Sequence, residues 1–100
     1  MIYITQLIYL KPGQEKTFDA FEAVAIPLIA RYNGTLLFRV RPAAGAFIEG
    51  EGLPPYEIHL VSFPDEEDFI AFGKDPERAS SLHLKDASVE RIELFKGTRL

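Results

Sequence analysis

Tyr56-Glu57-Ile58-His59-Leu60-Val61-Ser62-Phe63 (YEIHLVSF) alternates with the period of two that marks a β-strand, bounded by prolines before and after. The alternation puts Glu57, His59, Val61 and Phe63 on one side and Ile58 and Leu60 on the other. Which side meets the helices decides the environment of a titratable pair carried by a single strand. The purely aliphatic pair, Ile58 and Leu60, reads as the core side, so Glu57 and His59 are expected on the opposite surface.

Working outward, three more strands share this period. In the first, Ile2, Ile4, Ile8 and Leu10 alternate with Tyr3, Thr5, Leu7 and Tyr9, and Gln6 falls on the aliphatic side without an evident reason. Thr35 to Arg41 sets Leu36, Phe38 and Val40 against Leu37, Arg39 and Arg41. Val89 to Lys96 sets Ile92 and Leu94 against Arg91, Glu93 and Phe95. Between the first two strands, Phe18, Phe21, Ala25, Leu28 and Tyr32 recur at spacings of three and four, which predicts an amphipathic helix. Pro27 lies inside it and predicts a kink near Ala23. Asn33-Gly34 is a helix stop, with the glycine expected in the left-handed conformation. Asp65, after Pro64, predicts an N-cap followed by an acidic first turn, with Phe69 and Phe72 as the buried edge of a second helix. Asp75-Pro76 predicts a further short helix to about Leu84. The stretch from Pro42 to Pro55 (PAAGAFIEGEGLPP) is a long Gly- and Pro-rich loop in which Phe47 and Ile48 need cover.

One hundred residues, 47% apolar and 26% charged, suit one globular domain spanning residues 1–100. With no cysteine, disulfides, zinc-thiolate centres and thiol nucleophiles are excluded. A net charge of −4 and a pI near 5.1 argue against nucleic acid as a partner. MIYITQLIYL lacks the basic lead of a signal peptide, and no apolar run reaches the ~20 residues of a membrane span, so no membrane association and a cytoplasmic location are expected.

The order strand, helix, strand, strand, helix, strand defines an α+β βαββαβ chain. Right-handed crossovers put both helices on one face of a four-stranded antiparallel sheet. Ile2, Ile4, Ile8, Leu36, Phe38, Val40, Ile58, Leu60, Ile92 and Leu94 form the expected helix-facing set. The other face mixes Tyr3, Leu7, Tyr9, Leu37, Val61, Phe63 and Phe95 with Thr5, Arg39, Arg41, Glu57, His59, Arg91 and Glu93. That face is too apolar for open water, which predicts a homodimer packed sheet on sheet with a lined space inside.

The residues that tie this chain to known proteins are IPLIARYNGTLLFR (26–39), a proline-containing helix running to a glycine before a strand, IHLVSFPDEEDF (58–69) and DPER (75–78). Over nearly its whole length the chain resembles the dimeric α/β barrel superfamily of ferredoxin-like folds, and is most similar to its small uncharacterised bacterial members. The superfamily includes cofactor-independent antibiotic-biosynthesis monooxygenases, muconolactone isomerases, haem-degrading members and stress-responsive barrels. The resemblance implies a dimeric barrel, and because one fold hosts many activities it implies no particular reaction. Haem-degrading relatives pair a helical histidine, which His83 matches, with a strand asparagine and a tryptophan. This chain has no Trp, and Gln6 or Thr5 stands where the asparagine belongs, so haem breakdown does not follow.

Pairing Phe38 with Leu60 and Val40 with Ile58 sets Arg39 opposite His59 and Arg41 opposite Glu57. The functional reading makes His59 a proton-exchanging catalytic group oriented by Glu57. Arg39 and Arg41 hold a planar anion, and Tyr3, Thr5, Tyr9 and Glu93 line the ligand space. The competing reading is a cross-strand ion pair with His59 packed at a dimer seam. The expected function is a homodimeric barrel binding a small anionic or aromatic organic molecule, with cofactor-independent monooxygenase or isomerase chemistry left open. A non-catalytic stress-response or protein-interaction module is the alternative, and haem binding a third. No cofactor and no metal ligands are assigned.

Overall fold

The computed structural model describes residues 1–100. Its elements are β1 (Ile2–Leu10), α1 (Glu15–Arg31), β2 (Thr35–Val40), β3 (Glu57–Phe63), α2 (Glu66–Gly73), α3 (Pro76–Ser80), α4 (Leu82–Ser88) and β4 (Val89–Gly97). The four strands form one antiparallel sheet in the order β2-β3-β1-β4, the ferredoxin-like βαββαβ arrangement, with the second crossover divided into three helical pieces. No helix is long and apolar enough to cross a membrane.

Local chemistry sets the boundaries. Asp65 caps α2 by accepting a hydrogen bond from the Asp68 amide at 3.0 Å. Asp75 caps α3 through the amides of Glu77 (2.8 Å) and Arg78 (3.1 Å) with Pro76 at the first helical turn. Asp75 also accepts from the Tyr32 hydroxyl at 2.5 Å and from Arg31 at 3.2 Å, so this buried carboxylate is fully engaged in tying α3 to α1. Helical structure continues in α4 to Ser88, beyond the expected stop at Leu84, and leads directly into β4.

α1 runs from Glu15 to Arg31 as one element that includes the exposed Pro27, and one detail of its end differs from expectation. At its end Asn33, not Gly34, takes the left-handed conformation (φ 64°). Gly34 is required for a different reason: a Cβ there would stand 2.6 Å from Phe63 Cε1 and 2.7 Å from Ile29 Cγ2. The chain passes too close to the core for any side chain.

The helix layer covers the sheet in two apolar clusters. Ile4, Ile29, Val61 and Phe63 form one, joined by Phe69 and Phe72, whose rings lie 5.6 and 5.7 Å from that of Phe63. Ile8, Phe18, Phe21 and Ala25 form the other, with Tyr56, Leu82 and Ile92 against it. On β1 the residue between Ile4 and Ile8 on this side is Gln6, so the two clusters are separated by a polar seam.

The register of β2 on β3 is the expected one, with Phe38 opposite Leu60, Arg39 opposite His59 and Val40 opposite Ile58. The direction of the faces is reversed. Val61 and Phe63 are core residues beneath the helices, and Glu57 and His59 share their side of β3. Ile58 and Leu60 therefore turn away from the helices, together with Phe38 and Val40, which are 47% and 45% exposed. In β2 the register slips between Leu36 and Phe38, so Leu36 still packs on the core while Phe38 points the other way. For β1 the expected faces hold, since Ile4 and Ile8 are buried under the helices and Tyr3, Thr5, Leu7 and Tyr9 alternate with them. In the 42–55 loop, Phe47 folds back over Gly50, whereas Ile48 finds no cover and is 94% exposed.

Candidate functional site

Three acids and two guanidiniums meet around His59 at one end of the polar seam. Glu22 reaches it from α1. Its position belongs to the buried arc of that helix (Phe18, Phe21, Glu22, Ala25, Leu28, Ile29), and its residue surface is only 3% exposed. Glu57 and His59 reach it from β3, 1% and 6% exposed. Arg39 on β2 donates from Nε to Glu57 Oε1 at 2.5 Å and lies 3.3 Å from Glu22 Oε2. Arg41 lies 3.4 Å from Glu57 Oε1, donates to Asp19 at 2.8 Å and stacks over Tyr56 at 4.7 Å.

His59 Nε2 stands 3.3 Å from Glu22 Oε2 and 3.6 Å from Glu57 Oε2. These separations suit an ion pair, but the atoms are not aligned as hydrogen bonds. Both Glu22 oxygens, Glu57 Oε2 and His59 Nε2 consequently remain buried without a hydrogen-bond partner. Four such atoms at one point are costly in a folded core unless a proton, a water or a ligand answers them.

The electrostatics divide the two carboxyls. Burial pushes Glu22 up to about 7, the neighbouring Glu57 adds to the rise, and His59 opposes it. For Glu57 burial also acts upward, but the interaction with Glu22 and the Arg39 guanidinium outweigh it and hold the group below the usual carboxylate range. Glu57 is thus the resident anion and Glu22 the carboxyl poised between its two forms near neutral pH. Three carboxylates against two guanidiniums leave one negative charge, which a single proton on Glu22 balances.

Glu22 and His59 face a cavity of about 70 Å³ between sheet and helices, walled mostly by apolar side chains of the two clusters. The polar groups lining it are Gln6, Glu22, His59, Arg78 and Lys85. Gln6, opposite His59 in the β1–β3 register, owes its place on the aliphatic side of β1 to this cavity. Glu22, Glu57 and His59 each also present one donor atom within 4.8 Å of the others, a spacing that suits a shared cation. The Arg39 guanidinium already lies against both carboxylates and competes for that position.

Of the residues singled out in the sequence, Glu57, His59, Arg39 and Arg41 come together, under α1 instead of at a seam between two sheets. The others do not join them. Tyr3, Thr5, Tyr9 and Glu93 lie on the side of the sheet away from the helices, where Thr5 pairs with Leu60, Leu7 with Glu93, and Arg91 covers the Tyr9 ring at 4.0 Å. Arg39 and Arg41 are engaged by acids, which leaves neither free to take an anion. His83 is exposed on α4. Sequence reasoning passed over Glu22, Arg78 and Lys85. The available signal for Glu22 was its place beside Phe21 and three residues before Ala25, on the apolar stripe of the helix.

No protein-family model matches the chain, and no curated protein matches it. Among solved structures it is similar to a protein of unknown function from Rhodopseudomonas palustris, at TM-score 0.84 and 17% identity over 99% of this chain and 82% of that one. A dimeric ferredoxin-like protein of unknown function from Jannaschia sp. CCS1 superimposes at TM-score 0.72 and 16% identity over 98% of each chain. A candidate antibiotic biosynthesis monooxygenase from Bacteroides thetaiotaomicron does so at TM-score 0.73 and 18% identity over 100% of this chain and 89% of that one. At these identities the likeness establishes the ferredoxin-like fold and leaves the chemistry to this chain's own residues.

Proposed function

We propose that the protein is a homodimer that binds a small organic molecule in the cavity beside Glu22 and His59 and moves a proton on it without a cofactor. The observation carrying this reading is the buried, unpartnered Glu22–His59 pair on the cavity wall, with the Glu22 carboxyl pushed up to about 7. A base near that value takes a proton from a carbon next to a carbonyl at neutral pH, and the same group in its acid form returns it. Return to a different atom of the enolate is an isomerisation. Reaction of the same carbanion with dioxygen is the oxygenase variant, a reading to which the name of the Bacteroides thetaiotaomicron neighbour lends support.

Assembly follows from the helix-free face. Phe38, Val40, Ile58, Leu60, Leu7 and Phe95 give it an apolar centre that one chain leaves uncovered, and a second copy is the partner that covers it symmetrically. Two of the similar structures are of proteins described as dimeric.

The test is deuterium wash-in from D2O at C3 of 2-oxobutanoate, followed by NMR. Wild type exchanges faster than buffer, and Glu22→Gln loses that gain by about 10²-fold or more. Equal rates in wild type, Glu22→Gln and buffer would remove the proposed activity.

A further inference from the structure

The helices contribute two further cations to the cavity lining, Arg78 and Lys85, and neither is in an ion pair. Arg78, on α3, makes no ion pair: its guanidinium spends one hydrogen bond on the Gly73 carbonyl at 3.3 Å, and its buried Nε has no partner at all. Phe72 and Phe21 flank it, at 5.3 and 5.9 Å from their ring centres. Lys85, on α4, also lines the cavity and has no hydrogen-bond partner; burial and the nearby Arg78 both disfavour its charge, and only Asp86, the next residue, offsets them in part. Elsewhere the chain meets charge with opposite charge: Arg39 with Glu57, Arg41 with Asp19, Arg31 with Asp75. Two like charges held together, partly desolvated and unpaired, are unfavourable unless an anion arrives between them.

We propose that Arg78 and Lys85 form a clamp for the carboxylate of a short-chain organic acid, whose apolar body lies along the cavity and whose far end meets Glu22 and His59.

The placement of charge gives the orientation. A carboxylate is repelled from Glu22, which Glu57 backs, and drawn to Arg78 and Lys85. A guanidinium beside an ammonium suits the two oxygens of one carboxylate, with Arg78 supplying directed donors and Lys85 a mobile point charge. The lining is otherwise mostly aliphatic and aromatic, including Ile4, Ile8, Ile92 and Phe63. It suits a few methylene or carbonyl carbons and no second charge. A cavity of about 70 Å³ limits the body to a handful of heavy atoms. This inference rests on the same cavity as the proposed proton transfer and specifies the substrate class: 2-oxo or 3-oxo acids of roughly this length.

The test is an NMR titration of the full-length protein with butanoate, butanamide and inorganic phosphate, repeated on Lys85→Met, Arg78→Met and Arg78→Lys. Expected results are saturable shifts with butanoate at the Ile4, Ile8 and Ile92 methyls and none with butanamide. The butanoate affinity falls at least tenfold in Lys85→Met and Arg78→Met, with partial recovery in Arg78→Lys. The amide spectrum of each variant reports its folding, and if Arg78→Met does not fold, Lys85→Met and Arg78→Lys decide the matter. Unchanged butanoate affinity in Lys85→Met, equal binding of the amide, tighter binding of phosphate, or no shift with butanoate in wild type would each overturn the clamp. The two readings fail separately. Butanoate binding that depends on Lys85 without any deuterium wash-in keeps the clamp and removes the proton transfer, whereas wash-in undiminished in Lys85→Met does the reverse.

Discussion

His59 Nε2 stands 3.3 Å from Glu22 Oε2 across the interface of β3 and α1, both side chains buried and neither completing a hydrogen bond there. Glu57, Arg39 and, on the same cavity wall, Lys85 and Arg78 are the other charged groups around the pair. An interior of this kind sacrifices stability locally, and its consequences are measurable.

The first concerns pH. Glu22 has a folded-state value near 7 against 4.5 in the open chain, so the folded protein binds the proton more tightly than the unfolded one. Its contribution to stability is fully present below about pH 4.5 and is lost as pH rises through about 7. The loss is on the order of 3 kcal/mol if Glu22 acts alone. Glu57, held low, works in the opposite sense and loses its contribution only as pH falls through its folded value. Urea unfolding from pH 5 to pH 8 should show stability declining, and Glu22→Gln, which mimics the protonated carboxyl, should flatten the decline. A wild-type profile already flat over this window would contradict the assignment.

Arg39→Ala removes the guanidinium that lies on both Glu57 and Glu22. Breaking a buried pair leaves a charge uncompensated, and since Arg39 is a third exposed the cost should be roughly 2–4 kcal/mol at neutral pH and smaller at pH 4. Chemical denaturation at the two pH values gives the comparison. A loss independent of pH would mean that packing of the arginine stem, not charge, sets its role.

Gly34→Ala should destabilise by about 1–3 kcal/mol, because the new methyl meets Phe63, Ile29 and the Ile29 carbonyl at 2.6 to 3.0 Å. Gly13→Ala provides the contrast: it has no neighbours within 4 Å, and only its left-handed backbone opposes the change. Equal midpoints for Gly34→Ala and wild type would show that the strand entry relaxes freely.

Phe38→Glu, on the open face of β2, should turn the proposed homodimer into a monomer with little change in the fold, since Phe38 is already half exposed in the single chain. Sedimentation velocity at micromolar concentration reads this directly. A monomeric wild type, or a dimeric Phe38→Glu protein, would place the contact elsewhere.

Much of the fold was legible because it rests on local rules. The strand periods, the Asp65 and Asp75 caps and the pairing of Phe38 with Leu60 follow from alternation and turn chemistry. The orientation of β3 was not legible, because both of its faces carry apolar residues and a period of two has no direction. Ile58 and Leu60 look like core, yet Val61 and Phe63 are the core, and Glu57 and His59 are carried inward with them. A slip in β2 at Leu37 then lets Leu36 and Arg39 face the helices together, which no strict alternation allows. Glu22 was missed because a glutamate on a helix ordinarily reads as solvated, and Arg78 and Lys85 because nothing local distinguishes an unpaired cation from a surface one.

The central claim is that Glu22 holds a shared, exchangeable proton at the cavity wall, and it is tested most directly by carboxyl 13C NMR. With side-chain carboxyls labelled and Glu22 assigned by its absence in Glu22→Gln, its resonance should titrate with a midpoint near pH 7. A midpoint in the ordinary carboxylate range near 4.5 would contradict the account.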